Sequence, residues 1–271
     1  GWESIWYNEN RGFTLQTQVI LGVLSPDDSP EEIHKKIALV ADYLDIWLAR
    51  RVWNFRTIAY SSVRYTLFQF TKDLRNLDIN SLCSYLQDQL ARMDQTFSNE
   101  SRLRLHNQNY RQIRHILARL THWVDVQCGL PSHFEDLVSV GRARPFEIEH
   151  IWADRYDRYA EYFAHPSDFD VERNHIGGLL LLQRGLNQSL SDKPYEVKRD
   201  AYVSHGQNLL ARSLHPLAYQ NNPSFERLRS DNNLAFRPYD SFGPQELAER
   251  QELYRRIAEI VWDPLRLSVN D

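Results

Sequence analysis

A mainly α-helical fold carrying one embedded strand, loop, strand and helix unit is predicted by three observations. Apolar residues recur at helical spacing through the first half of the chain, to about Leu137. Phe146-Glu147-Ile148-Glu149-His150-Ile151 alternates apolar and acidic residues, as a short half-buried strand does. The apolar run Leu179 to Leu182 reads as a second strand returning after a long loop, and Asn187 then opens a polar segment with Ser189, Asp192 and Lys193. The expected organisation is a helical domain over 1–140, the strand and helix unit over 141–205, and a C-terminal helical segment over 206–271 packing on that unit.

Ser29-Pro30-Glu31-Glu32 is a capping box with proline at the first helical position, and Ile33, Ile37, Val40 and Leu44 follow on one face. Asn80 is expected to cap a helix through Leu82, Leu86 and Leu90. A third amphipathic helix is expected over Ser101 to Leu120, its apolar side marked by Leu103, Leu105, Tyr110, Ile113, Ile116, Leu117 and Leu120. Turns fall at Ser25-Pro26-Asp27-Asp28 and Gly129-Leu130-Pro131-Ser132, Asn221-Asn222-Pro223-Ser224 reads as a loop, and Gly243-Pro244 opens the last helix.

With 271 residues, of which 42% are hydrophobic and 25% charged, the chain can bury a substantial core. No apolar run has the length to span a bilayer and the first residues resemble no signal or transit peptide, so a cytoplasmic protein with no membrane partner is expected. Cys83 and Cys128 stand alone, which excludes a paired-cysteine zinc ribbon and leaves two buried thiols as the expectation. No glycine-rich phosphate loop is present, so nucleotide hydrolysis is not expected of this chain.

The residue types between Glu149 and Lys193 suit phosphodiester hydrolysis. That reaction needs a base to take a proton from water and a hard cation to neutralise charge on the phosphate and the leaving oxygen. His150 is the candidate base, since an imidazole is mostly neutral at physiological pH. Glu149 and Asn187 offer oxygen ligands of the kind Mg2+ or Mn2+ prefers, and so few protein ligands leave a single ion largely hydrated and open to substrate phosphate.

From Phe146 to about Arg199 the chain resembles the C-terminal HNH nuclease (DUF1524) domain of GmrSD-type, modification-dependent restriction endonucleases, as found in DUF262-DUF1524 phage-defence proteins. The resemblance rests on Glu149-His150-Ile151, Ile176-Gly177-x-Leu179-x-Leu181-Leu182, Leu186-Asn187-x-Ser189-Leu190-Ser191-x-Lys193-Pro194 and Lys198. It also extends to Ala248-Glu249-Arg250 through Ile260-Val261-Trp262 as the closing helix. It implies a ββα-metal (HNH, His-Me finger) unit with His150 as general base, Glu149 as the acidic metal ligand and Asn187 as the amide ligand. It further implies DNA as substrate, a role in bacterial defence, and an NTPase or sensor domain lying outside this chain, which shows no DUF262 signature at its start. One departure stands out: where the family has Asn after the glycine of the second strand, this chain has Gly178, so the loop around His150 must be held by another group, with Asn174 and His175 the candidates.

A net charge of −4 places the burden of DNA binding on local clusters of cations. At 100° per residue, Arg104, Gln108, Arg111, His115 and Arg119 share one face of the expected Ser101 to Leu120 helix, which also holds Arg102 and no acidic residue. That stripe, with Lys193 and Lys198, is the candidate track for a phosphate backbone. Two other classes fit the same residues: a toxin-like nuclease acting on RNA, and a nucleic-acid-binding module whose catalytic site has decayed.

Overall fold

The Ser29 side chain accepts a hydrogen bond from the Glu32 amide, and the Glu32 carboxylate accepts one from the Ser29 amide, so the longest helix starts where its capping box predicts. The computed structural model describes residues 2–99, 103–139, 141, 145–203 and 207–268, in two compact units, Gly1–Arg102 with Trp262–Asp271, and Leu103–Val261. The first unit contains α1 (Glu3–Arg11), α2 (Gln16–Val23), α3 (Pro30–Trp53), α4 (Tyr60–Leu74) and α5 (Ile79–Ala91). Helix α3 is its axis: Val40, Leu44 and Leu48 are fully buried, and α1, α2 and α5 pack against it. Helix α5 is capped by Asp78, whose carboxylate accepts from the Ser81 amide, and Asn80 lies inside the helix. Asp78 has the extended ψ that a cap residue needs, which corrects the expected cap by two positions. Cys83 and Cys128 are both buried, as free thiols.

The second unit contains α6 (Tyr110–Gln127), α7 (Phe134–Val138), β1 (Phe146–His150), α8 (Pro166–Arg173), β2 (Leu179–Gln183), α9 (Arg184–Leu190), α10 (Tyr195–Ala201), α11 (Leu209–Arg212), α12 (Pro223–Asp231) and α13 (Pro244–Val261). Helix α6 therefore belongs to the unit that holds the two strands. The expected Asn221 to Ser224 loop is instead a helix start, where the Asn222 side chain accepts from the Phe225 amide and Pro223 takes the first helical position of α12.

The largest difference from the sequence reading is at Ser101 to Leu120. Ser101 and Arg102 lie outside the described residues, and 103–109 is not helical. Leu105 N–H donates to the Asn174 carbonyl at 2.8 Å and Ile176 N–H to the Leu103 carbonyl at 3.1 Å, so Arg104 forms a bridge with His175. Those inter-segment bonds satisfy the backbone groups that a helix would use internally, and the helix starts only at Tyr110.

Strands β1 and β2 form an antiparallel pair in which Phe146 faces Gln183, Ile148 faces Leu181 and His150 faces Leu179. The loop between them is a packed structure: Trp152, Tyr159, Phe163 and Phe169 form an aromatic cluster, and the Trp152 indole N–H donates to the Phe242 carbonyl at 2.7 Å. Ile176–Gly178 is a single 3-10 turn laid against α13. A Cβ on Gly177 would come within 2.5 Å of the Leu247 carbonyl oxygen, so only glycine allows the turn to approach that helix.

Candidate active site

Glu149 and His150 are the last two residues of β1, Glu149 buried and His150 half-buried, and the charges of Arg173 and Lys198 act on both. Glu149 shares its face with Leu180 and Leu182, which belong to a core cluster with Ile151, Trp152, Tyr195 and Tyr202. Leu186 and Leu190 of α9 pack on that same cluster, and α9 brings the Asn187 amide to β1, where it donates to the Ile148 carbonyl at 3.4 Å.

Glu149 is buried, at 4% exposure. Its Oε1 is held by Lys198 Nζ at 2.8 Å and by the Tyr202 hydroxyl at 3.1 Å, both from the α10 segment. Lys198 Nζ also donates to the His150 main-chain carbonyl at 2.7 Å. Burial pushes the Glu149 carboxyl up and the Lys198 ammonium down, and their mutual attraction opposes both shifts. Lys198 is 1% exposed, which corrects its expected role as a phosphate-backbone contact: its ammonium is an internal tie between Glu149 and the end of β1.

His150 is half-buried, and its Nε2 lies 2.9 Å from the Asn174 side-chain oxygen. The Asn174 amide nitrogen donates to the Asp170 carbonyl at 2.7 Å and to its carboxylate at 3.2 Å, which fixes the amide with its oxygen toward the ring. Nε2 therefore carries the proton and Nδ1 carries the lone pair. Burial and the charge of Arg173 push His150 down to about 4, against the opposing hydrogen bond to Asn174. The ring is neutral across the physiological range. Asn174 thus takes up the holding function left open by Gly178, and the Leu103 to Leu105 segment clamps the backbone at the Asn174 carbonyl and the Ile176 amide, on either side of His175. At position 178 itself a Cβ would meet Leu247 Cδ1 at 3.2 Å and the Arg173 carbonyl at 3.3 Å.

Glu149 Oε2 and the Asn187 side-chain oxygen accept no hydrogen bond among the described residues. Both are hard oxygen donors of the kind a hydrated Mg2+ or Mn2+ ion takes. Among the described residues no group of three or more His, Cys, Asp or Glu could hold an ion.

The proposed basic stripe does not survive as a surface. His115 is 2% exposed and Arg119 4% exposed, because the helix begins at Tyr110 and that side of α6 packs inward. Arg111 and Arg104 are exposed but lie on different elements, one on α6 and one in the bridged segment. Lys193 is exposed in the turn between α9 and α10. Arg173, Asn174 and Tyr202 are parts of the site to which the sequence reading gave little or no role, because their positions depend on the folded loop and on α10.

The family described as GmrSD restriction endonucleases, C-terminal domain, matches residues 70–257, more than half of the chain, and spans both strands, α9 and most of α13. No curated protein and no solved structure matches the chain. Glu149, His150, Asn187 and Lys198 all fall within the matched range, and the chain belongs to the C-terminal domain family of the GmrSD restriction endonucleases.

Proposed function

We propose that this domain is a metal-dependent DNA endonuclease of the HNH type. It serves a modification-dependent restriction system directed against phage, as the nuclease half of a larger NTPase and nuclease protein. The observation that carries the reading is the 2.9 Å contact between His150 Nε2 and the Asn174 side-chain oxygen. A neutral imidazole with its proton committed to Asn174 presents Nδ1 as an acceptor for a water proton, which is what a general base requires.

Glu149 and Asn187 would hold one Mg2+ or Mn2+ ion, which when bound neutralises charge on the phosphate and the leaving oxygen. Lys198 and Tyr202 orient the Glu149 carboxylate so that its second oxygen stays directed away from the ion pair. Lys198 also fixes the His150 carbonyl, and with it the end of β1. His150 takes the proton at Nδ1 and keeps its ring plane through Asn174. Lys193, Arg104 and Arg111 are the exposed cations proposed to meet the DNA backbone, with His115 and Arg119 left to the interior. Among the described residues no helix is long and apolar enough to cross a membrane.

The test is nicking of supercoiled plasmid by wild type and His150→Ala, in magnesium and in EDTA, with transfer RNA as a parallel substrate. Magnesium-dependent nicking lost in His150→Ala supports the reading. Cleavage of transfer RNA with plasmid untouched replaces DNA by RNA as substrate, and cleavage of neither by wild type removes the nuclease assignment.

A further inference from the structure

Arg173 ends α8 beside the His150 and Asn174 pair. Its Nε donates to the Trp152 carbonyl at 3.1 Å, which fixes the guanidinium plane two residues after the candidate base. The side chain is half-buried, and its charge reaches His150 and Glu149. Asp154, Asp170 and Glu149 act on it electrostatically. None of them closes to ion-pair distance, and the two terminal nitrogens donate to no group among the described residues. Burying a guanidinium costs solvation, which a hydrogen-bonded anion restores. A carboxylate would do so internally, as Glu149 does for Lys198. At Arg173 no carboxylate takes that position among the described residues.

We propose that Arg173 is the phosphate-binding residue of this site, its two terminal nitrogens taking the non-bridging oxygens of the phosphodiester presented to His150. A planar fork matches two phosphate oxygens, and charge-assisted bonds of that kind are about twice as strong as neutral ones. Charge on those oxygens grows as water attacks, so a pre-oriented guanidinium stabilises the transition state more than the ground state. The alternative is a purely structural role, in which the Nε bond to Trp152 secures the loop and the positive end group complements the C-terminus of α8. The proposal rests on the nuclease reading for its substrate, and its test separates the two.

Dimethyl phosphate is the probe, followed through the Arg173 Nε–H and His150 imidazole signals by 15N NMR in wild type, Arg173→Gln, Arg173→Lys and His150→Ala. Wild type should show saturable shifts of both signals. His150→Ala should keep the Arg173 shift, Arg173→Gln should lose the response of His150, and Arg173→Lys should retain part of it. In single-turnover plasmid cleavage Arg173→Gln should be slower by about 10²-fold, with DNA affinity changed by less than about threefold. If Arg173→Gln alters the melting curve, Arg173→Lys carries the comparison, since it keeps charge and loses the fork. Wild type that binds the probe through Arg173 but cuts no nucleic acid removes the nuclease reading and leaves the anion site standing. Probe signals that do not move in wild type, or that move equally in Arg173→Gln, overturn the assignment, whatever the cleavage rates.

Discussion

His150 Nε2 and the Asn174 side-chain oxygen stand 2.9 Å apart, and Asp170 fixes which end of the Asn174 amide faces the ring. This one contact sets the proton on Nε2 and exposes the lone pair on Nδ1. Removing the acceptor should release the tautomer. Asn174→Ala should lower cleavage by about 10- to 10²-fold, the usual range for a group that orients a reacting ligand. Imidazole 15N shifts should change from a single Nε2–H tautomer to a mixture. An unaltered tautomer in that variant would show that something else holds the ring.

Loss of the ring itself should be more severe. His150→Ala should cost about 10² to 10⁴ in cleavage rate, the range of general acid–base catalysis. Its circular dichroism spectrum and melting temperature should stay near wild type, because the half-buried ring makes one side-chain hydrogen bond and lies outside the core cluster. A variant cutting at the wild-type rate would exclude His150 as the base.

The buried pair beneath the hairpin makes an opposite prediction, of stability first. Lys198→Met leaves the Glu149 carboxylate buried with only Tyr202 as donor, and should destabilise the domain by about 3–5 kcal/mol. Adding Glu149→Gln in the same chain should recover part of that loss, since no uncompensated charge then remains. Chemical denaturation of the two single variants and the double measures the coupling. A Lys198→Met protein as stable as wild type, with weaker and less salt-sensitive DNA binding, would return Lys198 to the surface role first expected of it.

The proposed metal dependence can be read from Asn187. Asn187→Ala should reduce cleavage and recover partly at raised magnesium or manganese, because Glu149 Oε2 would still hold the proposed ion weakly. EDTA should abolish wild-type cleavage. Activity persisting in EDTA, in protein that elemental analysis finds free of metal, rules out the ion.

Asp125 gives a pH signature remote from the chemistry. Its carboxylate accepts from the Leu209 amide at the start of α11, yet burial pushes its pKa up to about 6. The folded protein therefore binds more protons than the unfolded chain between the ordinary carboxylate range and about pH 6. Stability from this group is present at low pH and falls as pH rises through that window, by about 2–3 kcal/mol. Asp125→Asn keeps the acceptor oxygen and removes the titration. The stability of wild type relative to this variant should thus decline from pH 4 to pH 7. A difference that is flat across the window would place the Asp125 carboxyl back in its ordinary range.

The chain's order of residues determined the parts of this protein that depend on neighbours along the backbone. The Ser29 box, the alternation of Phe146 to His150, the apolar run from Leu179 to Leu182 and the proline start at Pro244 all specify local conformation by sterics and short-range hydrogen bonds. The motif from Glu149 to Lys198 lies within the family match, which reaches further upstream, to residue 70, than the motif itself shows. Tertiary structure decided the rest. Leu103 to Leu105 is expected from the sequence to continue the helix of Tyr110 to Leu120, but its two leucines alternate with Arg104 as in a strand, and backbone bonds to Asn174 and Ile176 hold it extended and thereby secure the loop that faces His150. His115, Arg119 and Lys198 read as surface cations because charge favours water. Each is buried because another element covers it, and for Lys198 the Glu149 carboxylate offsets the lost hydration. Arg173 and Asn174 sit far from His150 in sequence, and only the folding of the aromatic loop around Trp152 and Phe169 brings them to the ring.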